Sequence, residues 1–198
     1  MPNPKPFITR AGEKLAFALD HFGVAPAGLV CADLGCHVGG FTDCLLQRGA
    51  ARVYAVDTSH HILDWNLRND PRVVLMERTN ALHVTLPEPV QLLTVDVGWT
   101  PQRLILPHAA TLLSPAGIII SLLKPHYEAT DRERIRGRVR EELVDTVVSR
   151  VTDDLAAAGL APAKVVESPL TGKKGGNREF LLLLIPPLEE APPTVTNV

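Results

Sequence analysis

Two hydrophobic rhythms alternate along most of this chain. Leu15, Ala18, Leu19 and Phe22 recur at helical spacing and predict a first helix over Arg10–Phe22, with Thr9 as candidate N-cap and Gly23 as the stop. Short apolar runs follow at Leu29–Leu34, Arg52–Val56, Val73–Met76 and Val90–Val95, each ending near a polar residue, and predict strands. Between them the pattern predicts helices over Thr42–Arg48, closed by Gly49, over His61–Leu67, and over Pro101–Leu113. Gly117–Leu123 is apolar throughout, as in a strand buried on both faces.

Beyond it, Asp131–Arg140 is a dense charge run broken by Gly137, predicted to start as a loop and turn helical only from about Glu141. That helix continues through Leu143, Val147, Val151 and Leu155 to Gly159. Ala163–Glu167 and Glu179–Ile185 close the pattern as two strands joined by the glycine- and lysine-rich loop Thr171–Asn177. Strands alternating with helices predict an α/β fold, a mostly parallel seven-stranded sheet with helices on both faces. No helix separates the last two strands, so the last strand is expected to be antiparallel. Residues 1–8 read as a flexible proline-rich lead and 186–198 as a disordered proline-rich tail, leaving 9–185 as one domain.

Bulk composition adds exclusions. The net charge of −2 gives no global basic field, so any case for nucleic acid must rest on local patches. Cys31, Cys36 and Cys44 show no paired spacing, and His37, His60, His61 and His83 no ligand spacing, so no metal is expected and the thiols suit a reducing compartment. The start is polar and proline-broken rather than a signal peptide, and no apolar run reaches the length of a membrane span. The expectation is a soluble cytoplasmic protein.

Chemistry concentrates where strands end, since open α/β sheets bind ligands beyond the carboxyl ends of their strands. Val30–Thr42 reads as a buried strand delivering a small-residue loop to a helix N-terminus, with Gly35, Gly39 and Gly40 allowing a ligand against the backbone. Asp33 stands where a dinucleotide loop has its first glycine, and a carboxylate there suits a cationic or hydroxyl-bearing ligand such as S-adenosylmethionine. Asp57, ending the second strand, is placed to accept hydrogen bonds from a ribose diol, or is simply a strand-end cap. Glu77, Asp96 and Lys124 end later strands, and Glu179 opens the last. Lys124 either snorkels to solvent or is held in a cleft, where it can orient or deprotonate a hydroxyl nucleophile. Lys173, Lys174 and Arg178, with Lys5, Arg10 and Lys14 from the other end, can form a phosphate-binding rim. The arginines at 132, 134, 136, 138 and 140 read more simply as a solvated helix face laced with ion pairs.

Taken in order, Thr9–Leu15, Gly35–Leu46, Arg52–Asp57, Glu77–Asn80, Leu123–Pro125 and Gly176–Leu181 resemble the TlyA or haemolysin-A family over roughly residues 9–185. Its members are FtsJ-like methyltransferases that move a methyl group from S-adenosylmethionine to a ribose 2′-hydroxyl of ribosomal RNA. The resemblance implies a Rossmann-like methyltransferase fold and a catalytic tetrad on Lys14, Asp96, Lys124 and Glu179, with Lys124 at the nucleophilic hydroxyl. It implies a cofactor cradle of Asp33, Gly35, Cys36, His37, Gly39, Gly40 and Phe41, with Asp57 and Thr58 at the ribose, Asn80 and Ala81 near the adenine, and Asp96 beside the cofactor. RNA would meet Arg10, Lys173, Lys174 and Arg178, and no metal is implied. The family usually begins with a small S4-type RNA-binding domain, which is expected to be lacking here because six residues precede Phe7, and Cys36-His37-Val38 and Val97–Pro101 depart from its pattern. These departures bear on substrate identity more than on cofactor binding. A rival expectation is a non-catalytic RNA-binding or interaction module on the same fold.

Overall fold

The computed structural model describes residues 6–172 and 176–186. Its centre is a seven-stranded sheet of order β3-β2-β1-β4-β5-β9-β8. The strands are β1 (Val30–Leu34), β2 (Arg52–Val56), β3 (Val73–Met76), β4 (Val90–Val95), β5 (Leu113–Leu123), β8 (Pro162–Glu167) and β9 (Phe180–Leu184). A small hairpin, β6 (Arg134–Ile135) and β7 (Arg138–Val139), stands apart from it. Helices α1 (Ala11–Phe22), α2 (Gly40–Gln47) and α3 (Trp65–Arg68) cover one face. On the other lie α4 (Gln102–Thr111) and α6 (Val144–Ala157), while α5 (Pro125–Glu128) follows β5 directly. Each face has its own apolar core, which is why β1, β4 and β5 are apolar on both sides.

β1 pairs in parallel with β2 and β4, and β4 with β5, so their carboxyl ends share one rim. β9 runs antiparallel to both β5 and β8, and Leu123 pairs with Phe180. The antiparallel strand therefore begins where β5 ends, carrying Glu179 to the rim that Lys124 occupies. Helix α1 reaches the same rim through a close approach to α2. A Cβ on Gly40 would lie 2.2 Å from Thr9 Oγ1, and one on Gly12 2.9 Å from the Gly40 carbonyl.

Several boundaries differ from the sequence expectation, each for a local reason. The helix expected over His61–Leu67 is confined to Trp65–Arg68, because Asp64 caps it by accepting from Asn66 N at 2.8 Å and His61 sits at φ 59°. The helix expected to reach Leu113 stops at Thr111, since Leu113 already pairs with Val90 before a register shift leads into Gly117–Leu123. The charged run is no helix face: it folds as a short 3-10 turn over Asp131–Glu133 and the β6–β7 hairpin. Of the expected lead, Phe7 packs against the α1–α2 core and Ile8 N donates to Asp43 Oδ2 at 2.9 Å. Residues 1–5 and the tail from 187 lie outside the described residues. Among the described residues, no helix is long and apolar enough to cross a membrane.

Asp33 corrects one expectation outright. It is fully buried in β1, where Thr42 Oγ1 of α2 donates to Oδ2 at 2.7 Å and Thr94 Oγ1 of β4 donates to Oδ1 at 3.1 Å. The carboxyl group thus fastens the cofactor-type turn to the sheet from behind and does not face the rim. Burial pushes it up from 3.8 to about 7, and the nearby Asp96 charge adds to this against the opposing hydroxyl bonds.

A stability signature follows. The unfolded chain loses this proton near pH 3.8 while the fold holds it to about 7, so the stability this group provides falls as pH rises between those values. Relative to Asp33→Asn, which is neutral throughout, the wild type should lose up to a few kcal/mol of unfolding free energy between about pH 4 and 8. Denaturant unfolding at a series of pH values measures the difference, and a flat difference would show that Asp33 is ionised in the fold.

Candidate active site

A cavity of about 550 Å³ opens at the carboxyl ends of β1, β2 and β4. Gly35, Cys36, His37, Gly40 and Phe41 form its floor, Asp57 and Thr58 one side, Asn80 and Ala81 another, and Asp96 through Thr100 with Lys124 the far end. Thr9 and Ala11 at the start of α1 close it above. Gly35 must be glycine: its φ is 87°, and a Cβ would lie 2.8 Å from the Asp96 carbonyl. Asp57 is held rigidly, Oδ2 accepting from His37 N at 2.9 Å and Oδ1 from Ser59 N at 2.8 Å. Each oxygen keeps acceptor capacity for a hydroxyl from the cavity. Gly39 does not line it: at φ 107° its missing Cβ leaves space for Leu67 and Leu63, so its role is packing under the turn.

Two ion pairs stand at the Lys124 end. Lys124 Nζ lies 2.5 Å from Asp96 Oδ1 and donates to the Val97 carbonyl at 3.3 Å. Its approach to Asp96 is close but poorly angled, which leaves Oδ1 buried without a true hydrogen bond. Lys14 of α1 pairs with Glu179 Oε2, their side chains only 9% and 4% exposed. Lys124 and Asp96 face the cavity, whereas Lys14 and Glu179 lie outside its lining. Between the pairs sits His126, whose proton affinity is pushed down to about 4 by burial and then by Lys124, Arg134 and Lys14. Its neutral ring adds no charge, so the two lysines are balanced by the two carboxylates.

Three residues beyond those expected also stand here, Trp99, Tyr127 and His126. Trp99 is 79% exposed at φ 64°, lines the cavity mouth, and lies 4.8 Å from the Tyr127 ring. Lys124 Nζ stands 5.8 Å from that same ring. The turn-like Gly98-Trp99-Thr100-Pro101 with its bulky aromatic was the available signal, and His126 offered none beyond adjacency to Lys124-Pro125. Among the expected RNA contacts, Arg10 donates to the Thr171 carbonyl at 2.8 Å. Arg178 is spent: it pairs with Glu167 at 2.8 Å and with Glu141 and Asp145 at 3.2 Å each, which leaves no charge for phosphate. Lys173 and Lys174 lie outside the described residues. Among the described residues, no group of three or more His, Cys, Asp or Glu could hold a metal ion.

Comparison with known proteins agrees with this geometry. The profile of the FtsJ-like methyltransferases matches residues 7–185. YqxC of Bacillus subtilis, named as an rRNA methyltransferase, is 42% identical over 192 residues, which cover 92% of this chain and 66% of YqxC. The 16S/23S rRNA (cytidine-2′-O)-methyltransferase TlyA of Mycobacterium tuberculosis is 38% identical over 183 residues, covering 89% of this chain and 68% of TlyA. A solved structure of a hemolysin-type protein from Streptococcus thermophilus superimposes with a TM-score of 0.87 at 34% identity, covering 94% of this chain and 69% of that one. The chain thus spans about two thirds of the length of these relatives. With the sheet order, the glycine turn and the match over nearly all its length, the chain belongs to the FtsJ-like methyltransferase family.

Proposed function

We propose that this chain is an S-adenosylmethionine-dependent methyltransferase acting in the cytoplasm on a ribose 2′-hydroxyl of structured RNA, ribosomal RNA foremost. The observation that carries the reading is Lys124, fixed by Asp96 at the end of the cavity, with the buried Lys14–Glu179 pair behind it. The cavity suits such a cofactor in three respects. The Gly35 turn lines the cavity with bare backbone, Asp57 offers two anchored acceptors to a ribose diol, and Asp96 puts a carboxylate in the lining whose charge suits a cationic group. Gly35, Cys36, His37, Gly40 and Phe41 would hold the amino-acid part, Asp57 and Thr58 the ribose, and Asn80 and Ala81 the base. When bound, the cofactor supplies an electrophilic methyl group on a sulfonium.

Everything else falls to the protein. A displacement at carbon needs the acceptor oxygen in line and rid of its proton, so positioning and proton removal are the two tasks. Lys124 has one contact to Asp96 and one bond to the Val97 carbonyl, which leaves its amine room for one more partner. A hydroxyl oxygen arriving at the cavity end is that partner. The ammonium first gives up a proton to solvent, and the amine so formed takes up the hydroxyl proton as the oxygen bonds to the methyl carbon and the carbon–sulfur bond breaks. Lys14 and Glu179 act as positioning residues, tying α1 and the start of β9 around Lys124. Trp99 and Tyr127 offer an aromatic surface at the mouth on which the acceptor base can stack.

Lys124→Ala should lower methyl transfer to ribosomal RNA or subunits by about 10²–10⁴-fold, the usual worth of a positioned proton acceptor, with cofactor affinity kept within a few-fold. Labelled-methyl incorporation and calorimetric titration with S-adenosylmethionine measure the two. Equal transfer by both proteins would remove Lys124 from the chemistry, and cofactor binding without any transfer by the wild type would favour the non-catalytic module.

Trp99→Ala should weaken RNA binding about tenfold or more, in line with the loss of one stacked base, while cofactor affinity holds. Fluorescence anisotropy with a labelled rRNA fragment reads this, and unchanged RNA affinity would exclude stacking on Trp99.

A further inference from the structure

The β6–β7 hairpin concentrates uncompensated positive charge. Arginines elsewhere are mostly paired, Arg48 with Asp20, Arg52 with Glu88 and Arg72 with Asp70. On the segment from 131 to 140 the acids are consumed internally: Asp131 pairs with Arg134, and Glu133 is held by Arg150 and by the Thr130 capping box. Arg132, Arg136, Arg138 and Arg140 remain exposed, with no carboxylate partner among the described residues. Glu142, also exposed, bounds this patch on its far side.

The hairpin geometry keeps these cations outward. Val139 is buried, so its strand neighbours Arg138 and Arg140 face solvent. Arg136 and Gly137 form the turn, both at positive φ, 53° and 78°. Asn-Gly would form such a turn with less strain, and here the strained position carries a cation.

The hairpin also stands on the two segments that carry Lys124 and Glu179. Arg134 donates to the carbonyl of His126, two residues beyond Lys124, at 3.2 Å. Asn177, two residues before Glu179, accepts from Val139 N at 3.4 Å and donates to the Gly137 carbonyl at 3.5 Å. The arginines therefore stand near the Lys124 end of the cavity.

We infer that this hairpin is an RNA-backbone docking arm, in which Arg132, Arg136, Arg138 and Arg140 neutralise phosphates flanking the acceptor nucleotide. The inference rests on the RNA methyltransferase reading and supplies that reading with a substrate-facing surface. In a chain of net charge −2, such a local patch is where a polyanion can be held without a global basic field.

The test compares wild type, the triple variant Arg136→Gln/Arg138→Gln/Arg140→Gln, the matching triple lysine variant, and Arg52→Gln at the far end of β2. Binding of a structured rRNA fragment is followed from about 50 to 300 mM salt, with calorimetric titration of S-adenosylhomocysteine reporting the intact fold. The glutamine triple should bind RNA about tenfold or more weakly near 0.1 M salt, with a salt slope shallower by roughly 2–3 units, while the lysine triple stays close to wild type. Arg132→Glu with Arg140→Glu, outside both hairpin strands, should show the same loss and decides the matter if the triple loses cofactor binding through misfolding. Wild-type affinity and slope in the variants, or an equal loss in Arg52→Gln, overturns the arm and leaves the methyltransferase reading standing. Wild-type protein that binds cofactor but no RNA overturns both, and weaker binding to an acidic protein with RNA binding unchanged overturns the arm in favour of a protein partner.

Discussion

The ion pair between Lys14 and Glu179 holds the first helix to the last strand across 165 residues of sequence, inside a site almost closed to water. Two charges in such a place are costly to desolvate, and breaking the pair from one side typically costs about 3–5 kcal/mol because the survivor is stranded. Its presence is better explained by what it positions than by net stability. Only with α1 pinned to β9 do the start of the chain and its last strand meet around Lys124. The Gly12–Gly40 contact makes this possible, since bulkier residues there would lift α1 from the cofactor-type turn.

The sheet does the rest through direction alone. Parallel strands deliver Asp57, Asp96 and Lys124 to one rim because each strand ends there. Glu179 precedes its strand, and it reaches the same rim only because β9 runs the other way. The antiparallel strand is thus a requirement of the site. Asp33 shows the complementary economy: a carboxyl group in the turn motif serves not the cavity but the junction of β1, β4 and α2.

How much of this the sequence disclosed depended on whether a feature has a periodic signature. All seven strands of the main sheet were legible, the central ones as apolar runs buried on both faces and the edge strands β3 and β8 as short β-branched runs, and the antiparallel sense of the last followed from the lack of an intervening helix. Gly35 was legible as a turn glycine and Asp57, Asp96 and Lys124 as strand-end polar residues, and the four do meet at one cavity. Asp33 and Gly39 belong to the same motif, yet spacing cannot tell which side of a cavity wall a residue occupies. Arg178 looked like a phosphate ligand until folding brought up Glu141, Asp145 and Glu167, the first two from a segment more than thirty residues away. The hairpin was hidden for another reason. Its strands are two residues long, and its turn places an arginine where sequence rules look for asparagine or glycine.

Charge is then divided across Lys124 in a way no single element dictates. On the cavity side stand Asp57 and Asp96, suited to hydroxyls and to a cation. On the side of α5 and the hairpin Asp131 and Glu133 are tied up in pairs, and apart from Glu142 at the edge the exposed charge is positive. A ligand carrying a sulfonium and a ligand carrying phosphates would each find its own half, with the lysine at the boundary. The pairing of Glu133 with Arg150 sharpens that boundary, since it neutralises a carboxylate on a face where its charge would otherwise repel an anion. An electrostatic layout of this kind orients two unlike ligands before either touches the reacting atoms, which is the larger part of what a displacement between them requires.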